Sequence, residues 1–219
     1  LEKSFAAKKA KYQAYVAKML TLAGWPKAAA NAKAIVGLET EIAQASWTKA
    51  EQRDDNKMYN PYETAKLAGL APGFDWPAFM AGAGLGKATH VVAQENTAFP
   101  KIAAIYAKTP LATLKAWQAF NLADQAAPYL SQPFVDARFD FRGKVLTGQQ
   151  AQRPRWKRGV QVVDRQIGEA LGKVYVAAYF PPESKAKMLA LVGDIRTAMK
   201  GRIEHLDWMS QPTKTKALE

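Results

Sequence analysis

The chain has 219 residues, 48% of them apolar, with six tryptophans and no cysteine. That apolar share supports a packed core and excludes wholesale disorder. The missing cysteines exclude disulfides and thiolate metal sites, and no run of about 18 apolar residues is present to span a membrane. The 31 basic residues outnumber the 19 acidic ones, for a net charge of +12. Such a balance either draws acidic peptides, nucleic acid or anionic lipid, or marks a solvated surface whose acidic partner domain lies elsewhere. The opening Leu1-Glu2-Lys3-Ser4 has neither an initiator Met nor an apolar signal segment, which reads as a start inside a longer protein.

Residues 2–22 read as an amphipathic helix, with Phe5, Tyr12, Val16, Met19 and Leu20 at helical spacing. Gly24 ends it, and Pro26 fits the first turn of a second helix over 26–45, striped by Ile35, Leu38 and Ile42. Glu39 and Glu41 point two ways from that helix and read as surface residues. Arg53-Asp54-Asp55-Asn56 and Asn60-Pro61 mark a break, followed by a short helix over 62–69. Pro72-Gly73 is a turn, and Asp75 caps a short segment over 76–80.

Residues 81–86 are rich in Gly and Ala and read as a loop, and 89–93 is the one plausible strand. Helices resume over 96–108 and 110–130; the second carries Leu111, Leu114, Trp117, Phe120 and Leu122 on a broad apolar face before Gln132-Pro133 breaks it. Residues 134–146, with Phe139-Asp140-Phe141, fit a strand or an irregular helix. Long helices follow over 154–179 and 183–206, separated by Pro181-Pro182. Ser210 is placed to cap a last helix starting near Pro212. There is no internal repeat, so the expectation is a single all-α, bundle-like domain with short irregular connections.

The chemistry-bearing residues are sparse. Neither His90 nor His205 opens a His-Glu-x-x-His pattern, in which two imidazoles one helical turn apart hold zinc beside a glutamate base. Glu204, His205 and Asp207 read as a solvated helix end rather than a metal site. The serines lack a nucleophile elbow, and Gly82-Ala83-Gly84-Leu85-Gly86 follows no strand that would make it a phosphate cradle. No catalytic residue, metal ligand or cofactor site is therefore assigned in this segment. Arg153-Pro154-Arg155-Trp156-Lys157-Arg158 has the composition of a single-strand nucleic-acid contact, but one cluster lacks an extended stripe. It reads as a helix start with Trp156 turned into a core.

Four sets of residues occur in a specific order. They are Arg53-Asp54 with Tyr59-Asn60, and Phe74-Asp75-Trp76 with Phe79. Next come Arg155-Trp156, Leu171-Gly172-Lys173-Val174-Tyr175-Val176 and Tyr179-Phe180, and finally Leu206-Asp207-Trp208-Met209 with Thr213-Lys214. Together they resemble the helical, zinc-free N-terminal region of the neprilysin-like zinc metallopeptidases, from end to end of the chain. The resemblance implies that residues 1–219 are the helical lobe of a two-lobed endopeptidase, facing a catalytic lobe of the same polypeptide across a chamber that admits only short peptides. It implies zinc in that other lobe, oligopeptide substrates, no nucleic acid, and a periplasmic or extracellular setting.

It also marks Arg53, Asp54, Asn60, Trp76, Arg155, Trp156, Gly172, Tyr175, Phe180, Trp208, Met209 and Thr213 as structural rather than catalytic. Trp156, Tyr175, Phe180 and Trp208 are expected in the core, so that Trp156→Ala would cost about 3–5 kcal/mol. A standalone helical peptide- or protein-binding module is the alternative, and a basic nucleic-acid-binding domain a further one.

Overall fold

The computed structural model describes residues 3–219. Among them are eleven α-helices, a few single turns of 3-10 helix, one π-helix and one two-stranded sheet, so the chain is all-α as expected. Its helices gather into two compact units, Leu1–Gln152 and Arg153–Glu219. The division falls in an irregular stretch after Thr147, where Gly148 takes a φ of +72° that breaks the helical path.

The first unit is organised on α1 (Lys3–Leu22) and α2 (Ala28–Ala45). Glu2, where the first helix was expected to start, lies outside the described residues. Gly24, at φ +70°, closes α1: the N–H of Trp25 donates to the Leu20 carbonyl at 2.9 Å and that of Gly24 to Thr21 at 3.0 Å. This is the paired C-terminal bonding that a left-handed glycine permits. Pro26 lies ahead of α2 rather than in its first turn, because Lys27, at φ 51°, occupies the capping position.

A 3-10 turn Glu51–Arg53 and α3 (Asp55–Met58) lead to β1 (Pro61–Glu63), which pairs antiparallel with β2 (His90–Val92). β1 replaces the first turn of the helix expected over 62–69; only α4 (Leu67–Leu70) survives of it, behind a 3-10 turn. Pro61 disfavours helix in the residue before it, and the partner strand supplies backbone bonds in place of a helical turn. α5 (Trp76–Gly82) is capped as expected, Asp75 accepting from the Ala78 N–H at 3.0 Å.

α6 (Phe99–Lys108) and α7 (Leu111–Ala126) follow. Gln132-Pro133 opens α8 (Gln132–Arg138) rather than merely breaking a helix, and residues Phe139–Leu146 continue from it as a π-helix. The Phe139-Asp140-Phe141 alternation is thus the irregular helix of the two expected alternatives. Gly143 allows it, because a Cβ there would stand 2.5 Å from the Phe139 ring.

The core gathers Tyr15, Val16, Met19 and Leu20 of α1, Ile35 and Val36 of α2, Phe120 of α7 and Phe141 of the π-helix. Tyr15 stacks on Phe141 at 5.0 Å between centroids and meets Phe120 edge-on at 5.9 Å. On α7 the buried positions are Ala116, Phe120, Ala123 and Asp124, whereas Leu111 and Leu122, expected on its apolar face, are exposed.

The second unit contains α9 (Arg155–Tyr179), α10 (Pro182–Glu204) and α11 (Gln211–Leu218). α9 departs from helical geometry at Ile167, with φ −137° and ψ 31°. No residue of 153–219 is buried.

Candidate functional site

Polar side chains concentrate at three places in the first unit. The most enclosed is Asp124, a carboxylate on the core-facing side of α7. It accepts from the Tyr15 hydroxyl, from Arg142 Nε at 2.8 Å and from Arg142 Nη2, while Arg138 lies 3.9 Å away. Burial works to raise its pKa, but the hydrogen bonds from Arg142 and Tyr15 and the charges of Arg142 and Arg138 outweigh it and hold the carboxyl below its usual range. Burial pushes the Tyr15 hydroxyl up, and its bond to Asp124 pushes it further. The bonds to Asp124 likewise raise the Arg142 guanidinium. A carboxylate held ionised and saturated with donors is a structural tie between α1, α7 and the π-helix, not a base awaiting a proton.

Glu39, expected at the surface, is half-buried and accepts from Tyr12 Oη at 3.1 Å and Trp117 Nε1 at 3.0 Å, joining α1, α2 and α7. Burial, and then the Glu39 charge, drive the Tyr12 hydroxyl upward. Glu41 is the solvent-facing member of the pair and meets Lys108 at 2.7 Å. The third place is Glu95, which accepts from the Trp47 N–H at 2.6 Å and from Gln52 Nε2 at 2.8 Å, while Trp47 Nε1 donates to Thr97.

The family-matched residues of this unit take local roles. Arg53 closes a 3-10 turn, and Asp54 caps α3 by accepting from the N–H groups of Asn56 at 3.1 Å and Lys57 at 3.2 Å. Asn60, expected as a turn or cap, bridges segments: its Nδ2 donates to the Lys57 and Gln94 carbonyls and its Oδ1 accepts from Asn96. Trp76 donates to the Ala71 carbonyl at 2.9 Å, stacks on Phe99 at 5.7 Å and lies 4.8 Å from Phe74. With Phe79, Ile102 and Tyr106 these rings line an apolar cleft of about 350 Å³.

In the second unit the expectation of core packing is not met. Trp156 is 67% exposed, Tyr175 59% and Trp208 75%; Phe180 is half-buried. The physical reason is that three helices alone supply too little surface to enclose these side chains. The Lys157 ammonium lies 5.3 Å from the Trp156 ring centroid, and Arg155 is exposed at the start of α9. Tyr175 packs on Tyr179 at 5.4 Å, and Gly172 lies inside α9 with open space where a Cβ would stand. Met209 is half-buried. Ser210 stands at the head of α11, but its hydroxyl meets that of Thr213 at 2.8 Å instead of capping a backbone N–H. Lys214 Nζ donates to the Glu204 carbonyl at 2.9 Å.

The residues present do not fit zinc. His90 Nδ1 lies 3.0 Å from the Thr89 hydroxyl, and His205 Nδ1 lies 2.7 Å from the Gly201 carbonyl. Among the described residues no three of His, Cys, Asp and Glu gather where a metal could sit. No helix of the described residues is long and apolar enough to cross a membrane.

Helices tied by buried polar bridges define the class of the chain as a helical, core-forming region. The family model described as peptidase family M13, in its N-terminal part, matches residues 1–219, and the chain belongs to that family. It is 28% identical over 197 residues to Neprilysin-11 of Caenorhabditis elegans, covering 87% of this chain and 23% of that protein. It is 30% identical over 199 residues to an endothelin-converting enzyme homolog of Locusta migratoria, covering 84% of this chain and 27% of that protein.

The Mycobacterium tuberculosis zinc metalloprotease ZMP1, in complex with an inhibitor, superposes with a TM-score of 0.79 at 33% identity, covering 99% of this chain and 33% of that one. The chain thus spans about a quarter of the curated relatives and about a third of the solved one.

Proposed function

We propose that residues 1–219 are the non-catalytic helical lobe of a two-lobed zinc endopeptidase, which caps the active-site chamber and restricts it to short peptides. The observation that carries this reading is the superposition of 99% of the chain on only a third of a zinc metalloprotease. On this reading, zinc and the catalytic base belong to the remainder of such a polypeptide, and a sequence here with no His-Glu-x-x-His pattern is consistent with that. The partners are then a catalytic lobe on the same chain and oligopeptide substrates, in a periplasmic or extracellular setting.

Capping is a steric task that needs stiffness rather than reactive groups. The Asp124 and Glu39 bridges and the stacked rings of the first unit supply that stiffness. The test is cleavage by the full-length polypeptide of a substrate series running from short peptides to a folded protein, with and without a zinc chelator, beside the isolated 219 residues. Chelator-sensitive turnover that collapses on the folded substrate, and no turnover by the 219 residues, is expected. Equal cleavage of the folded protein overturns the capping role, and peptide cleavage by the isolated segment overturns its non-catalytic assignment.

A further inference from the structure

α9 carries Trp156, Val160, Val163 and Ile167 at alternating spacings of four and three, which places them along one stripe of the helix. They are 67%, 53%, 40% and 58% exposed. α10 repeats the pattern with Met188, Val192, Ile195 and Met199, each about half exposed. Lys157, Arg165 and Glu169 give the first turns of α9 a polar side, and towards its end Val174, Tyr175, Val176 and Tyr179 add further exposed apolar surface. With Leu189 and Leu191 of α10 also exposed, this elongated apolar surface on two helices matches a face packed by other helices rather than a pocket for a small ligand. A unit of this size with no buried residue cannot hold its helices by burial of its own apolar surface.

We infer that the apolar stripes of α9 and α10 are the docking face for helices of the same polypeptide outside residues 1–219. This rests on the lobe reading above and adds the surface through which the lobe is held. Two observations select that occupant. The solved relative that superposes on 99% of the chain is about three times as long, so a polypeptide of its length has ample chain to cover the stripes. A second copy is disfavoured, because pairing two chains of net charge +12 sets like charge against like.

The chain has no cysteine, so single thiols report on chosen positions. Val163→Cys and Ile195→Cys, with Arg165→Cys as the polar-face control, are placed in the full-length polypeptide. They are labelled with N-ethylmaleimide and read site by site by mass spectrometry. The two stripe positions are expected to label about tenfold or more slowly than the control in the native protein and at the same rate once unfolded. If one stripe variant fails to fold, the other carries the comparison.

Photo-methionine incorporated at Met188 and Met199 then identifies the cover, with cross-links expected to peptides outside residues 1–219. Native labelling as fast as the control overturns the inference. So do cross-links confined to residues 3–152, or cross-links between isotopically distinct copies. Peptidase activity measured on the same preparations separates the two readings: an active protein with freely labelled stripes loses this inference and keeps the lobe, whereas protected stripes in an inactive protein do the reverse.

Discussion

Asp124 shows how one residue can govern a helical core without taking part in chemistry. Its side chain is only 10% exposed, and both oxygens are occupied by Tyr15 and Arg142. Asp124→Asn leaves those donors without their charge partner and is expected to cost about 3 kcal/mol in denaturant unfolding of the 219-residue chain, the two arginines being partly hydrated. Tyr15→Phe removes a single bond and should cost about 1–2 kcal/mol.

The pH dependence follows from the depressed carboxyl. The stability it contributes is fully present above its unfolded pKa of about 3.9 and is lost as the pH falls through the lower folded value. The stability difference between the wild type and Asp124→Asn should therefore shrink on acidification below about pH 4, measured by urea midpoints at a series of pH values. A difference that stays constant to lower pH would remove Asp124 as the titrating group.

Among the elements, the helices were legible because apolar residues recur at the helical period, and Asp75 and Gly24 announce their ends. Two elements were not. β1 is three residues long and depends on partners from Glu63↔His90 to Pro61↔Val92, more than 25 positions away and beyond the reach of local pattern. The π-helix was hidden because Phe139-Asp140-Phe141 imitates the alternation of a strand, and only the packing of Phe139 over Gly143 decides against it. Gly143→Ala should therefore destabilise by about 1–3 kcal/mol, since the ring must move off the new Cβ, and thermal melts measure it. Phe120→Ala, at the centre of the α1–α2–α7 core and 1% exposed, should cost about 3–5 kcal/mol in the same assay.

The polar bridges had no sequence signature. Tyr15 and Asp124 are separated by 109 positions and Trp117 and Glu39 by 78, so nothing local signals either contact. The family-matched aromatics conveyed kinship, but whether each is buried depends on surfaces that the sequence around it does not name. For Trp156 the expectation reverses: Trp156→Ala in the 219-residue chain should change stability by less than about 0.5 kcal/mol, as at other exposed positions.

Considered as a whole molecule, the chain joins a unit with a true core to one without. On heating, the first unit should melt cooperatively, while the second should exchange its amide hydrogens rapidly well below that transition. The net charge of +12 belongs to this scale too. If the chain is the lobe proposed above and part of this charge lines its chamber, the full-length polypeptide should cleave acidic peptides faster than neutral ones by a margin that falls as salt rises. Indifference to both substrate charge and salt would leave the charge as a solvated surface.

The pairing of β1 with β2 has a topological consequence. The Thr64 N–H donates to Thr89 at 2.9 Å and the Ala93 N–H to Asn60 at 2.8 Å, so both ends of the intervening excursion are pinned side by side. Residues 81–87 within it are all exposed. Backbone continuity there is therefore dispensable: a chain cut after Gly84, or expressed as two pieces meeting at that point, should reassemble and migrate as one species, with the ladder standing in for the missing peptide bond.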